Sequence, residues 1–257
     1  MGRGASGGAP PPVWPVPAPG ALFVTLEGVD GAGKSTQARR LAAALRAAGR
    51  EVVETREPGG TEGAEEIRRL LVTGGAGRWS AETEALLFTA ARRDHVERVI
   101  APALAAGKVV LSDRFADSTR AYQGAAGGAE ALARVEALHA AMIGLEPDLT
   151  LILDMDPAAA TARALARMEG GAAQPRAAGA EDRAAGAGAG AEDRFERRGA
   201  AFQAALRAGF RAIAEGAPER CAVVDADRPA DALAATLWDR LEAALAARLA
   251  DPAGPRA

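Results

Sequence analysis

The chain has 257 residues, of which 49% are hydrophobic and 25% are charged, and its formal net charge is −3. These values are ordinary for a globular protein, and the small net charge argues against a protein that binds nucleic acid or an anionic membrane over its whole surface. The single cysteine, Cys221, excludes an intrachain disulfide. No apolar run approaches the roughly 20 residues of a membrane-spanning helix, and the N-terminus has no signal-peptide core, so we expect a cytoplasmic protein.

The first predicted elements follow a Gly/Pro-rich segment, residues 1–20, for which we expect a disordered tail. Order is expected from Ala21, where the apolar run ALFVTLE is typical of a buried parallel strand. The segment TQARRLAAALRAAG has the apolar spacing of a helix. EVVET predicts a second strand, and the amphipathic segment around Ile67 predicts a second helix.

The later segments continue this alternation. A long helical stretch is predicted from Ser80 to about Ala106, with a kink or a new turn at Pro102. KVVLSDR, DLTLILD and CAVVDA predict three more strands, and helices are predicted near 129–144, in PAAATARALAR, in FERRGAAFQAALRAGFRAIAE and over 229–249. The sequence therefore predicts an α/β domain over 21–250 with a five-stranded parallel sheet and helices on both faces, followed by a disordered tail at 251–257.

The segment GVDGAGKST matches the phosphate-binding pattern G-x-x-x-x-G-K-[ST] and lies between a predicted strand and a predicted helix. Backbone N–H groups of such a loop surround phosphate oxygens, Lys34 would reach the outer phosphates, and Ser35 would bind Mg²⁺. We expect contacts to ATP from Gly28, Val29, Asp30, Gly31, Ala32, Gly33, Lys34, Ser35 and Thr36.

Asp113 ends the third predicted strand, at the edge of the sheet where the phosphate loop is expected. A carboxylate there would help to hold Mg²⁺ through water, because magnesium keeps much of its hydration shell. The alternative is a solvated carboxylate at a strand end, and the neighbouring Arg114 favours the functional interpretation.

The phosphate loop alone leaves several functions open. A GTPase switch needs an Asn-Lys-x-Asp motif for guanine, and the chain has none. A kinase for a nucleoside monophosphate, a deoxynucleoside kinase and an ATP-binding switch without transfer chemistry are all compatible with the loop.

Six segments in order resemble the thymidylate kinase family, and they are FVTLEGVDGAGKST, TREPGGT, LLFTAARRDHVE, SDRFADSTRAYQG, PDLTLILD and EDRFERR. The resemblance covers almost the whole chain from Ala21, except for 169–190. It implies a P-loop kinase fold with a mobile lid and the Mg²⁺-dependent transfer of a phosphoryl group from ATP to dTMP. It also implies a homodimer formed through helices that flank the sheet, including 80–105.

The resemblance implies a site for dTMP as well. Phe88 resembles the aromatic residue that stacks on the base, with core packing as the alternative, and Arg92 resembles the arginine that hydrogen-bonds thymine one helical turn later. Arg114 resembles the arginine that binds the acceptor phosphate. The remaining dTMP-binding residues that the resemblance implies are Asp30, the turn Glu57-Pro58 with a cis proline, and Ser118, Thr119, Tyr122 and Gln123.

The acceptor in this reaction is a phosphate oxygen, which is already anionic at neutral pH because the second pKa of a monoester is about 6. No general base is required, whereas a deoxynucleoside kinase must deprotonate a hydroxyl. Alignment and charge neutralisation of two polyanions are what the site must supply.

Gly31 stands where some family members carry an arginine in the phosphate loop. The chain resembles the bacterial type, in which arginines of a lid complete the catalytic site, and Arg163 and Arg167 match those positions. Arg194 resembles a lid position of structural or mixed role. We expect the lid over about 163–194, with a flexible and largely dispensable Gly/Ala insert at 169–190.

Overall fold

The computed structural model describes residues 12–75, 77–171 and 199–251, without the side chains of 164, 165 and 167–171. Five strands form one parallel sheet in the order β2-β3-β1-β4-β5. They are β1 Leu22–Glu27, β2 Val52–Arg56, β3 Val109–Asp113, β4 Leu149–Asp154 and β5 Cys221–Asp225. The central position of β1 places its carboxyl end in the middle of the edge where such sheets bind ligands.

The described helices are α1 Lys34–Ala47, α2 Glu62–Val72, α3 Ala81–His95, α4 Ala101–Ala105, α5 Ala116–Met142, α6 Pro157–Gly171, α7 Gly199–Gly216 and α8 Ala230–Ala250. Alternate residues of β1 pack on opposite faces of the sheet, because successive side chains of a strand point to opposite sides. Leu22, Val24 and Leu26 belong to a core that includes residues of α1 and α8, whereas Phe23 packs with residues of α4 and with Phe115. The predicted α/β fold, with its five-stranded sheet between two layers of helices, is confirmed.

The register of the sheet brings the chemistry-bearing residues to one edge. Leu26 and Arg56 both lie opposite Asp113, so β1, β2 and β3 end level with one another. The residues that directly follow these ends, including Gly28, Glu57 and Arg114, therefore lie close together in space.

Two helical regions differ in detail from the prediction. The stretch predicted over 80–106 is α3 and α4 joined by a π-helical turn, Val96–Ile100. The helix predicted near 129–144 is the second arm of α5, which begins at Ala116 and is broken at Gly128 (φ 64°, ψ −156°). The Gly-Gly pair in the middle of α5 hid its first arm, because glycine weakens the helical pattern.

Residues 12–20 differ from the disordered tail expected over 1–20. The Trp14 Nε1 group donates to the Ile143 carbonyl at 2.6 Å, and the Arg93 guanidinium lies 4.4 Å from the centre of the Trp14 ring. The Ala18 amide donates to the Leu104 carbonyl at 3.0 Å. One tryptophan supplies the apolar body and the donor that hold this segment, and composition alone does not show such an anchor. The expected tails at 1–11 and 252–257 lie outside the described residues.

Within the described ranges, no helix has both the length and the apolar character needed to cross a bilayer.

Candidate active site

The phosphate loop predicted from the sequence connects β1 to α1, with Gly33 as the N-cap of α1 at φ 100°. Gly31 has φ 88°, and a Cβ atom there would lie 2.1 Å from the Ala160 carbonyl oxygen of α6. Both the backbone angle and the close approach of α6 therefore require glycine at position 31. The expected arrangement of strand, glycine loop and helix N-terminus is present.

Lys34 lies buried at the start of α1. Its Nζ donates to the carbonyls of Gly28 (3.1 Å) and Val29 (2.9 Å) and lies 3.8 Å from Asp30 Oδ1. Burial, and then the charge of Arg114, lowers the pKa of Lys34 to about 8, although nearby carboxylates oppose this shift. An anionic phosphate beside Nζ would favour the protonated amine, so phosphate binding and protonation support each other.

Ser35 and Asp113 form the predicted pair for a metal ion. Ser35 Oγ donates to Asp113 Oδ2 at 2.5 Å, which joins the first turn of α1 to the end of β3. A hydroxyl and a carboxylate fit Mg²⁺, which prefers oxygen ligands and keeps several waters. Since no cluster of three or more His, Cys, Asp or Glu side chains that could hold a metal occurs in the described part of the chain, phosphate and water oxygens would have to complete its coordination.

Arg114 connects the phosphate loop to α5. Its Nη1 donates to the Gly28 carbonyl (3.2 Å) and to Ser118 Oγ (2.9 Å), while Nη2 donates to Asp30 and, at 3.3 Å, to Tyr122 OH. The Arg114 backbone has φ 75°, a left-handed conformation that costs a residue with a side chain roughly 1–2 kcal/mol. Residues held in such conformations cluster at functional sites, where the surrounding structure enforces them.

Asp30 lies between two cations, Lys34 of the phosphate loop and Arg114 after β3, and the only tyrosine of the chain. Tyr122 OH donates to Asp30 Oδ2 at 2.8 Å, and Arg114 donates to Oδ1. Burial by itself would raise the pKa of Asp30, but the charges of Arg114 and Lys34 outweigh it and lower the pKa to about 2. The carboxylate is ionised at neutral pH, so it can accept hydrogen bonds but is a poor general base.

Glu27, the last residue of β1, is a buried member of the site that the sequence analysis did not identify. Its Oε1 accepts a hydrogen bond from the Phe115 amide (2.7 Å), and its Oε2 lies 2.5 Å from Ser118 Oγ. Burial, and then Asp117, raises the pKa of Glu27 to about 8, against the opposing effects of Ser118 and Arg114. The carboxyl group is therefore largely protonated at neutral pH and adds little negative charge beneath the phosphate loop. The only sequence signal was an acidic residue in an otherwise apolar strand.

Arg92, predicted to contact thymine, is buried in α3 and hydrogen-bonded to its neighbours. Its Nε donates to Glu57 Oε2 (2.8 Å), and its Nη2 donates to the Phe115 carbonyl (3.1 Å) and to Thr119 Oγ1 (2.9 Å). The Glu57–Pro58 peptide bond is cis, as the resemblance implies. Glu57 was predicted as a dTMP contact, but its carboxylate bonds to Arg92 and to His95, so any effect on a ligand would pass through Arg92.

His95 and Thr55 are two further polar residues that sequence reasoning missed. His95 Nδ1 lies 3.0 Å from Glu57 Oε1, and His95 Nε2 lies 2.6 Å from Thr55 Oγ1. The two residues come from α3 and β2, so no local pattern connects them.

The other predicted base-side residues lie on α3 and α5, which pack against each other. Phe88 is half-buried, one helical turn before Arg92. Gln123 is buried and lines a cavity of about 380 Å³ between the two helices, together with Ala85 and Val135. Ser118 and Thr119 bond to Arg114 and Arg92 respectively.

The lid arginines are described only in part. Arg163 Nη1 donates to the Ala226 carbonyl (3.2 Å), and Nη2 lies 3.6 Å from Asp227 Oδ1. Arg163 thus contacts the segment after β5, and its predicted contact with the transferring phosphate stays a prediction. The side chain of Arg167 and the whole of Arg194 lie outside the described residues.

Comparison with known proteins agrees with this geometry. A family model described as thymidylate kinase matches residues 26–236. The thymidylate kinase of Jannaschia sp. is 57% identical over 216 residues, which are 84% of this chain and 93% of that protein. The thymidylate kinase of Dinoroseobacter shibae is 54% identical over 226 residues, with 88% and 98% covered.

A solved structure of a thymidylate kinase also matches this chain. The crystal structure of thymidylate kinase from Ehrlichia chaffeensis matches with a TM-score of 0.62 and 32% identity, and the match covers 87% of this chain and 99% of that one. The phosphate loop, the Arg114 cluster and these matches agree, and the chain belongs to the thymidylate kinase family.

Proposed function

We propose that the cluster around Arg114 is where this kinase aligns dTMP for attack on the γ-phosphoryl group of ATP, giving ADP and dTDP. The observation that carries this assignment is that one guanidinium contacts the loop carbonyl of Gly28, the loop acid Asp30 and the α5 residue Ser118. Arg114 is thus the cation that joins the phosphate loop, which would bind ATP, to α5, which would line the pocket for dTMP.

ATP would bind with its β- and γ-phosphates over the loop 28–36, where the N-terminus of α1 and Lys34 supply positive potential. Ser35 and Asp113 would hold Mg²⁺, since their oxygens already lie 2.5 Å apart at the end of the loop. The ion would neutralise charge on the phosphate oxygens during transfer. Lys34 would exchange its bonds to the Gly28 and Val29 carbonyls for phosphate oxygens.

The acceptor phosphate of dTMP would lie beside Arg114. Asp30 keeps the guanidinium in place and, with a pKa lowered to about 2, takes no proton from the acceptor at neutral pH. None is needed, because a phosphate monoester with a second pKa of about 6 attacks as the anion. Tyr122 is held by its hydrogen bond to Asp30 and would line the sugar side of the pocket.

The base would lie along the seam between α3 and α5. Phe88 would stack on the thymine ring, and Arg92 would donate to it. Two residues of α5 would line this pocket. Thr119 accepts a hydrogen bond from Arg92, and Gln123 is buried between the same two helices.

A lid over about 163–194 would complete the charge around the transferring group. Arg167 is the main candidate and Arg163 the second, since an arginine finger contributes about 10³–10⁵ in rate. The contact of Arg163 with Asp227 is half-exposed, and an ion pair of this kind is worth only about 0–1 kcal/mol. A phosphate could therefore replace that contact at little cost.

A homodimer and a cytoplasmic location stay predictions. The exposed apolar side chains of Leu70 on α2 and Leu86 on α3, 41% and 55% exposed, support a dimer through these helices.

The test is a coupled assay of ADP release with dTMP, dUMP, dCMP, dGMP and thymidine. We expect the highest kcat/KM with dTMP, and absence of ADP release with all five would refute the proposal. Arg114→Ala should lower kcat/KM for dTMP by about 10²–10³, the usual effect of removing one donor to developing charge. Arg69→Ala, at an exposed arginine of α2 whose side chain forms an ion pair only with Glu66 among the described residues, is the matched control and should leave kcat/KM unchanged.

A further inference from the structure

Four polar side chains, those of Thr55, His95, Glu57 and Arg92, form a largely buried hydrogen-bonded relay behind the base side of the proposed site. Thr55 at the end of β2 contacts His95, His95 contacts Glu57, and Glu57 contacts Arg92, at 2.6, 3.0 and 2.8 Å. His95 is fully buried, and the side chains of Glu57 and Arg92 are each only 4% exposed. The relay links β2 of the sheet to Arg92, the residue proposed to contact thymine.

The direction of each hydrogen bond follows from the atoms available. An ionised carboxylate only accepts, so Arg92 Nε and His95 Nδ1 both donate to Glu57. A neutral imidazole that carries its proton on Nδ1 accepts at Nε2, which takes the hydroxyl proton of Thr55. In this arrangement both ring nitrogens of His95 and both carboxylate oxygens of Glu57 have a partner of the correct kind.

The neighbouring turn leaves the imidazole ring little freedom. A Cβ atom at Gly60 would lie 2.5 Å from His95 Nε2 and 2.6 Å from Thr55 Oγ1, so the turn backbone packs directly against this contact. The turn is itself held, since Glu65 Oε1 accepts from the Gly60 amide at 3.1 Å and from Arg56 Nη2 at 2.9 Å. The ring therefore has one position and one tautomer.

The relay determines which part of Arg92 is free for a ligand. Glu57 takes Nε, while Phe115 and Thr119 take Nη2, which leaves Nη1 without a hydrogen-bond partner among the described residues. A planar guanidinium that is fixed at two nitrogens presents the third in one direction only. Such a fixed donor suits the carbonyl oxygen at position 4 of thymine and opposes the amino group that cytosine carries there.

We propose that His95 is a positioning residue for base selection: it holds Glu57, and through Glu57 it holds Arg92 in the orientation that accepts thymine and rejects cytosine. The inference rests on the proposed assignment of Arg92 to the base. Without His95, the Arg92 guanidinium can turn away from the cytosine amino group, so the penalty on dCMP falls. A site with a fixed polar group rejects a wrong partner far better than one whose group can move.

The test compares His95→Leu, which removes both ring nitrogens, with His95→Asn, whose amide can still donate to Glu57 from the place of Nδ1. Kinetic constants for dTMP and dCMP, the KM for ATP and thermal unfolding are measured for each. We expect His95→Leu to reduce the dTMP/dCMP ratio of kcat/KM at least about tenfold, which is about 1.4 kcal/mol. We expect His95→Asn to retain most of the ratio, and the KM for ATP to stay unchanged in both.

A purely structural role would change both nucleotides alike, so an unchanged ratio in His95→Leu overturns the proposal whatever happens to its Tm. Arg92→Lys is measured in parallel. If Arg92→Lys leaves the ratio unchanged, the assignment of Arg92 to the base has failed, whereas an effect there without one in His95→Leu refutes the relay alone. If His95→Leu does not fold, Thr55→Val removes the proton that orients His95, and the ratio must fall in that variant for the proposal to stand.

Discussion

The close approach of α6 to the phosphate loop gives a test of stability that does not depend on catalysis. In Gly31→Ala, the new Cβ atom would lie 2.1 Å from the Ala160 carbonyl oxygen and 2.7 Å from its carbonyl carbon. Both are backbone atoms of a helix, so no side chain can move aside. Gly33→Ala is a matched control two residues later, because its φ is also positive (100° against 88°) and its Cβ would meet nothing within 4 Å.

The two substitutions share the cost of left-handed backbone, and only Gly31→Ala adds the clash. Gly33→Ala adds only a smaller loss, because alanine is a poorer N-cap of α1 than glycine. Left-handed backbone costs an alanine roughly 1–2 kcal/mol, and this applies at both positions. The lower entropy of the unfolded chain offsets about 0.4–1 kcal/mol of that cost, again in both. Overpacking adds about 1–3 kcal/mol for Gly31→Ala alone.

The free energy of unfolding of each variant is measured by chemical denaturation, with circular dichroism as the signal that monitors unfolding. We expect Gly31→Ala to be less stable than Gly33→Ala by about 1–3 kcal/mol, which is roughly 2–4 °C in Tm for each kcal/mol. Equal stability of the two variants would refute the reasoning, because it would mean that α6 yields to the loop at no cost.

Three further predictions concern charge and the lid. Since the pKa of Lys34 is lowered to about 8 and ATP favours its protonated form, ATP binding takes up a proton above that pH. The Kd for ATP should therefore be constant just below that pKa and weaken by up to about tenfold per pH unit above it, as measured by calorimetry. Lys34→Arg, which keeps its charge, should lose most of this dependence and retain only the part that comes from ionisation of Glu27. Arg167→Ala should lower kcat about 10³-fold or more with little change in the Kd for ATP, and an unchanged kcat would remove Arg167 from the catalytic residues. Deletion of 171–188 should leave kcat within about tenfold of the full chain, and a larger loss would give the insert a role in transfer.

The strands and the phosphate loop could be predicted from the sequence because their signals are local. An apolar run, a glycine pattern and a helix N-terminus are contiguous at 22–36, so the pattern and the structure coincide there. The cis bond before Pro58 followed from resemblance, since it depends on a family-specific turn.

The partners of the predicted residues could not be read from the sequence. Arg92 lies 35 residues from Glu57 and 27 from Thr119, and Arg114 lies 84 residues from Asp30. These pairs meet only because β1, β2 and β3 end level with one another and α3 packs on α5. Residues such as Glu27 and His95, whose role depends wholly on such neighbours, were therefore missed.

The contact of Gly31 with Ala160 also restricts how this site could change. An arginine at position 31 would need the volume that the α6 backbone fills. A chain that gained this arginine would first have to move α6, and α6 carries positions 163 and 167 one and two helical turns after Ala160. In this geometry, an arginine in the phosphate loop and an arginine on α6 are therefore alternative sources of positive charge for the transferring group. Gly31→Arg alone would therefore add a clash with α6 before it could add a useful charge.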